Sequence, residues 1–284
     1  HLICFGDIHC DSSNYNPAVL SRVISELQSL PNSYAICTGD VFEFCNSRTR
    51  AAISSSLTST PGGDEASLVM DSMMRKSVDG LEKTLKEAGE GKFLAFCLGN
   101  HAYKYQDNIF SDEDLARRLG AAFTDGVLAL RITLSTKRPL KNGSASGNKT
   151  SRINLVAHHG TGGSGSTEGG DLQALWKRAN IFTNSHIHIS GHTHHCFCIP
   201  QKAELEFGNA ATFHIKETVR WLARCGSCVR SYSVGERANY IERIMAHPQN
   251  TGFVVFKFWI RRERNKDGSD IKSPHIEGKV ILVK

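Results

Sequence analysis

Phe93-Leu94-Ala95-Phe96-Cys97-Leu98-Gly99-Asn100-His101 is the stretch whose reading decides the fold. Six apolar residues in succession read as a short buried strand. Gly99 stops the strand, and two side chains able to bind a metal or carry a proton stand at its carboxyl end. The same order recurs along the chain. Leu2-Ile3-Cys4-Phe5 ends at Gly6 and is followed by Asp7-Ile8-His9. Tyr34-Ala35-Ile36-Cys37 runs into Thr38-Gly39-Asp40. Val156-Ala157 leads to His158-His159-Gly160, and a short strand within 181–190 precedes Gly191-His192-Thr193-His194.

Helical patterns lie between these strands. Val19, Val23, Leu27 and Leu30 recur at helical spacing over 18–30, and Pro31-Asn32 ends that helix. Residues 1–40 therefore read β-α-β, which implies parallel strands with their carboxyl ends on one edge. A helix is predicted over 64–88, after a Ser/Thr/Gly/Pro-rich loop at 46–63, and a shorter one over 112–119 with Ser111 as its N-cap. Strands over 127–134 and 153–157 are joined by the polar loop 137–150. The segment 160–170 holds six glycines in eleven residues and precedes a helix over 171–179.

From about 197 the pattern becomes β-rich, with strands at 204–207, 213–223, 229–233, 253–260 and 280–283 and one more helix at 238–245. Neither a repeat nor a linker is visible, so residues 1–284 read as a single domain.

Composition sets the broad class. The 284 residues are 40% apolar and 22% charged, ordinary for a globular protein that buries a sizeable core. The net charge of +6 is mildly basic and compatible with a phosphate-bearing substrate. Its distribution is uneven. Residues 1–47 hold one basic residue, Arg22, against five acids, whereas 257–266 carry Lys257, Arg261, Arg262, Arg264 and Lys266.

Nine cysteines, an odd number, three of them inside apolar strands, fit a reduced, cytoplasmic protein. No apolar run is long enough to span a membrane, and no leader segment is read before the first strand.

Five strand ends thus carry Asp7 and His9, Asp40, Asn100 and His101, His158, and His192 with His194. Ligands in open α/β sheets bind beyond the carboxyl ends of strands. Carboxylate, amide and imidazole donors suit Mn, Fe or Zn better than a thiolate-seeking ion. A lone histidine is more often structural. An ordered series of this kind, each member after a strand, is a different matter.

The series Asp7-x-His9, Gly39-Asp40-x-x-Glu43, Gly99-Asn100-His101, His158 and Gly191-His192-x-His194 resembles the calcineurin-like metallophosphoesterase superfamily, over about residues 7–194. The segment from His158 to Gly170 resembles its bacterial and bacteriophage branch. The resemblance implies an α/β fold, a four-layer α-β-β-α sandwich of two mixed sheets with the site at the sheet edges. It implies two divalent ions (Mn favoured, with Fe, Zn, Ni and Mg as alternatives), one held by Asp7, His9, Asp40 and His194. The other is held by Asp40, Asn100, His158 and His192. His159 is the alternative to His158, which is preferred as the first residue past its strand.

The implied reaction is attack on phosphorus by a hydroxide bridging two ions about 3.5–4 Å apart. His101 protonates the leaving oxygen or stabilises phosphoryl charge, with Glu43 as its supporting carboxylate. Glu43 stands where the family has Asp, and Ala102 where it often has an acid.

A phosphodiesterase or nuclease is favoured by the basic C-terminal stretch, with Trp221, Tyr232 and Trp259 as stacking candidates. A protein or small-molecule phosphomonoesterase is the alternative. A non-catalytic binding scaffold on the same fold is the rival of another class. Cys196-x-Cys198 and Cys225-x-x-Cys228 have the local spacing of a structural zinc site, although buried thiols packing on strands are the commoner explanation of such pairs. His186 and His188 read as one structural strand face, and His195 as rim.

Overall fold

The computed structural model describes residues 1–43, 63–136, 149–161, 167–207, 215–232, 242, 248–264 and 270–283. The expected 46–63 loop (all but its last residue), most of the 137–150 loop, the centre of the glycine-rich segment and nearly all of the expected 238–245 helix lie outside these residues.

Two mixed sheets form the centre. In the first, β1 (Leu2–Phe5), β2 (Tyr34–Cys37), β3 (Phe93–Cys97) and β4 (Ala122–Thr124) run parallel. On the other side of β1, β10 (Gly252–Arg264) pairs antiparallel with it, and β11 (Asp270–Leu282) pairs antiparallel with β10. In the second sheet, β5 (Leu128–Thr136) pairs antiparallel with β6 (Lys149–His158), and β7 (Ile187–Ser190) lies parallel to β6. Next come β9 (Ile215–Cys225), parallel to β7, and β8 (Cys196–Phe207), antiparallel to β9 at the edge.

The period-2 alternation of strand side chains builds the layers. On β1, Ile3 and Phe5 face one core together with Val19, Val23 and Leu27 of α1 (Pro17–Ser29) and Met74, Val78, Leu81 and Leu85 of α2 (Gly63–Lys86). Leu115 and Ala116 of α3 (Ser111–Arg118) join the same core. Leu2 and Cys4 face the other way, into a core between the sheets with Ile153, Leu155, Ala157, Ile187 and Ile189. The outer face of the second sheet is covered by α4 (Glu168–Ala179), whose Leu175 and Ala179 pack on Leu222. The order is α-β-β-α, as the resemblance implied.

Several boundaries moved. Ser111 is the first residue of α3 rather than its cap; the capping position is Phe110, and the Ser111 hydroxyl instead accepts the Tyr103 N–H at 3.0 Å. Gly169 and Gly170 belong to the first turn of α4, where the Thr167 side chain accepts from Gly170 N and caps the helix. β8 begins at Cys196, earlier than its 204–207 expectation. Of the strand expected at 229–233, the described residues 229–232 form a single bridge, between Val229 and Tyr15.

The cysteine site does not assemble. Cys196, Cys198 and Cys225 sit in or against the core between the sheets, while Cys228 belongs to the core on the helical side of the first sheet. Those four cysteines are free thiols, and no group of metal-ligating side chains among the described residues includes a cysteine. The cause is the turn at Gly226 (φ 76°), past the end of β9, which carries Cys228 away from the layer that Cys196, Cys198 and Cys225 share.

Candidate metal centre

The carboxyl ends of β1, β2 and β3 meet those of β6 and β7 at one edge of the sandwich. The turns there are tight. Asp7, His9, Asp40, His192 and His194 all adopt the left-handed backbone conformation, with φ of 47, 44, 51, 76 and 59°. Such a residue costs roughly 1–2 kcal/mol relative to ordinary backbone, and clusters of them are held only where the surroundings fix them.

Two glycines permit the close approach. A Cβ on Gly99 would collide with the Asp40 backbone and carboxylate, and one on Gly191 would lie 2.5 Å from Asp7 Oδ2. The glycine stops of the sequence motifs are therefore contacts between strand ends as well as turns.

Two groups of donors result. Asp7, His9 and His194 offer ligand atoms within 4.8 Å of one another, and so do Asp40, His159 and His192. Asp40 lies between them: its Oδ2 is 4.0 Å from His9 Nε2 and 3.1 Å from His159 Nε2. Asn100 Oδ1 faces the second group, 2.7 Å from His159 Nε2 and 2.8 Å from His192 Nδ1. These two imidazole nitrogens are themselves 3.2 Å apart.

The arrangement fits divalent ions on a specific observation. Both ring nitrogens of buried His9, and Nδ1 of His194, are buried with no hydrogen-bond partner among the described residues. Buried polar atoms are ordinarily satisfied, so several orphans facing carboxylates mark a place for a further ligand.

Where the structure puts His158 differs from the sequence expectation. Ile153, Leu155 and Ala157 of β6 point between the sheets, so His158 points with Val156 to the opposite face, under α4. There its Nε2 lies 3.3 Å from His188 Nε2. His159, just past the strand, turns back into the cluster. Its Nδ1–H donates to the Thr38 carbonyl at 3.0 Å, which fixes the ring and leaves Nε2 facing Asp40 and Asn100.

Electrostatics follow geometry. Burial opposes ionisation of Asp40, but the hydrogen bond and charge of His159 outweigh it and hold its carboxyl well below the usual range. Burial likewise disfavours a charged His159, yet Asp40 and Asp7 push its pKa up to about 9. Asp7 is fully buried, and desolvation raises it to about 7, although the His192 backbone N–H donates to its carboxylate at 2.9 Å. Burial lowers the pKa of His9, His192 and His194, keeping those rings neutral and available as ligands.

His101 stands at the rim of the set. Its backbone N–H donates to Asp40 Oδ1 at 2.8 Å, and its ring meets that of His9 edge-on at 5.1 Å. Glu43 is exposed, and its own backbone N–H donates to Asp11 Oδ1 at 2.6 Å.

The carboxylate behind the Gly99-Asn100-His101 turn is Asp112, which sequence reading missed. It is completely buried, Oδ2 accepts the Gly99 N–H at 3.3 Å, and burial and the Asp40 charge raise its pKa to about 7. The available signal was an acid in the first turn of a helix eleven residues past His101. Asp171 and Arg224, also missed, lie behind the Gly191–His194 turn. An arginine inside an apolar strand run was their only sign. His195 is not rim; its Nδ1–H donates to Asp171 at 2.9 Å.

No family model and no curated protein matches the chain. Among solved structures it is similar to a Vps29 single mutant from Entamoeba histolytica (12% identity over 100% of this chain and 99% of that one, TM-score 0.38). It is also similar to Vps29 from Chaetomium thermophilum (8%, 98% and 95%, TM-score 0.36). A third structure is a conserved uncharacterized protein, a predicted phosphoesterase, from Streptococcus pneumoniae (10%, 98% and 97%, TM-score 0.34). Likeness at this level carries no information about activity.

Proposed function

We propose that this chain is a two-metal phosphoesterase of the calcineurin-like metallophosphoesterase superfamily, with residues 1–284 forming one such domain. The observation that carries the reading is the pair of donor groups that meet at Asp40. Asp7, His9 and His194 would hold one divalent ion. Asn100, His159 and His192 would hold the second, and Asp40 would serve both. The oxygen and imidazole donors suit Mn, Fe or Zn, with Mn favoured. Bound there, two such ions supply a Lewis acid for phosphate oxygens and lower the pKa of water.

The chain's own residues do the rest. The Thr38 carbonyl fixes the His159 tautomer. Asp112 and Asp40 grip the backbone on either side of Asn100, and so set both the Asn100 amide and the His101 ring. His101, beside but outside the ligand set, donates a proton to the leaving oxygen. The basic residues of β10, Lys257, Arg261, Arg262 and Arg264, which in the sequence pointed toward a phosphodiester or nucleic acid, run away from the centre, because β10 is antiparallel to β1 with Leu2 beside Phe256 and Cys4 beside Val254. The reading is therefore of a phosphodiester or a phosphomonoester. No helix among the described residues is long and apolar enough to cross a membrane.

Stripping metal and restoring Mn, Ni, Zn or Mg before assaying bis-p-nitrophenyl phosphate and p-nitrophenyl phosphate tests the reading. Metal-dependent hydrolysis of at least one of the two is expected, and their ratio reads the preference for diester or monoester. Turnover of neither with any metal overturns the enzyme and leaves a non-catalytic scaffold. His101→Ala is expected to keep both ions while kcat drops by about 10²–10⁴-fold, the usual contribution of a general acid. Unchanged turnover would remove His101 from the mechanism.

A further inference from the structure

Behind the Gly191–His194 turn lies a buried ion pair that no ligand role explains. Arg224 of β9 and Asp171 of α4 are both completely buried, and Arg224 Nη2 donates to Asp171 Oδ1 at 2.5 Å. Both residues reach for the same short segment. Arg224 Nη1 donates to the Ser190 hydroxyl and, at 2.8 Å, to the Gly191 carbonyl. Asp171 Oδ2 accepts from the Thr193 hydroxyl at 2.7 Å and from His195 Nδ1–H at 2.9 Å.

The contacts alternate with the candidate ligands. Thr193 and His195 turn back to Asp171, while His192 and His194 turn forward, one into each donor group. Both forward residues sit in left-handed backbone conformation, which an unsupported turn would not keep. The Gln249 side chain adds an Nε2 bond to the Thr193 carbonyl at 2.8 Å on the same turn.

We propose that Asp171 and Arg224 are positioning residues: a buried clamp that holds the Gly191–His194 turn so that His192 and His194 face two metal positions at once. The inference rests on the two-metal reading above and extends it to groups that touch neither ion. A buried pair of this kind is weak evidence for stability in itself, because desolvation offsets its attraction. Its specific geometry on the turn is what argues for a function. Because one clamp serves a ligand of each ion, its loss weakens both ions together, whereas loss of His192 or His194 removes one.

Calorimetric titration of the metal-free chain with Mn, beside a thermal melt, tests this. The wild type is expected to bind two ions. Asp171→Asn, nearly isosteric but with one acceptor oxygen and so unable to accept from Arg224 and from the Thr193–His195 pair at once, is expected to weaken both by about 10–100-fold, the usual effect of groups that orient ligands. Arg224→Lys is expected to retain more affinity than Arg224→Met. If the buried variants do not fold, Thr193→Val removes one bond to Asp171 from a half-buried position, with a several-fold weakening of both ions expected. Folded variants that melt lower but bind both ions as the wild type does would overturn the clamp and leave a merely structural pair. A wild-type chain that binds no ion would overturn the metal centre itself, a result distinct from failure of the clamp.

Discussion

The end of β6 offers two neighbouring histidines in opposite surroundings. His158 lies under α4 against His188, where burial and the charges of Arg224 and Arg178 lower its pKa to about 4. His159 lies at the sheet edge against Asp40, where the carboxylate overcomes burial and raises it to about 9. The residues are chemically identical and adjacent. The difference comes from which face of a strand each one leaves. One side chain is committed to a neutral packing role, and the other to a proton or a metal.

Substitution breaks the comparison most sharply. His159→Ala is expected to lower the affinity for one of two ions by more than about 100-fold, beyond what outer groups contribute. His158→Ala is expected to leave both ions bound. Metal content after dialysis, measured on both variants, checks this; loss of an ion in His158→Ala alone would reverse the assignment.

Proton competition sharpens it next. Between pH 7 and 9 the metal-free His159 holds a proton that an ion must displace, so affinity is expected to rise about tenfold per pH unit and to level off above about 9. Calorimetry in buffers of different ionisation enthalpy reads the released proton directly. A flat profile would contradict the His159–Asp40 pair. The same pairs predict stability without metal, with opposite signs. The raised His159 pKa stabilises the fold below the ordinary value of about 6.5, and that contribution is lost as pH rises through about 9. The lowered His158 pKa makes the neutral ring the favoured one, so its stability is present above about 6.5 and lost as pH falls toward about 4. Melting temperatures across pH 4–10 should decline at both ends, and His158→Gln should reduce only the acid-side decline.

The smallest effect belongs to His188. Its Nδ1 is buried without a partner among the described residues, and its ring packs near Phe182. His188→Leu keeps an apolar filler of similar size and is expected to change stability by less than about 1.5 kcal/mol, with metal binding intact. A chemical denaturation midpoint measures it.

Much of the fold was legible because its signals are local. The apolar runs at 2–5, 34–37 and 93–97 fill both faces of buried parallel strands, and the helical spacing of Val19, Val23 and Leu27 meets one of those faces. The residues Asp7, His9, Asp40, Asn100, His101, His192 and His194 were legible for the same reason, each following a strand and a stop. β4, three residues long, was not, since so short a strand exists only through its pairing with β3. The cysteine pairs looked like a metal site because spacing says nothing about layers.

By itself, then, the sequence determined most of the strands and helices and which residues follow the strand ends that meet, Asp7, His9, Asp40, Asn100, His192 and His194, because strand periodicity and glycine stops act over a few residues. Only the tertiary structure turned His158 under α4 and brought His159 beside Asp40, since that depends on which face of β6 meets the second core. Only it showed that Asp112 backs the Gly99–Asn100 turn, and that Asp171 and Arg224 back the turn of His192 and His194. Those contacts join residues 13 to 53 positions apart. Packing between layers sets such distances, and no local pattern records them.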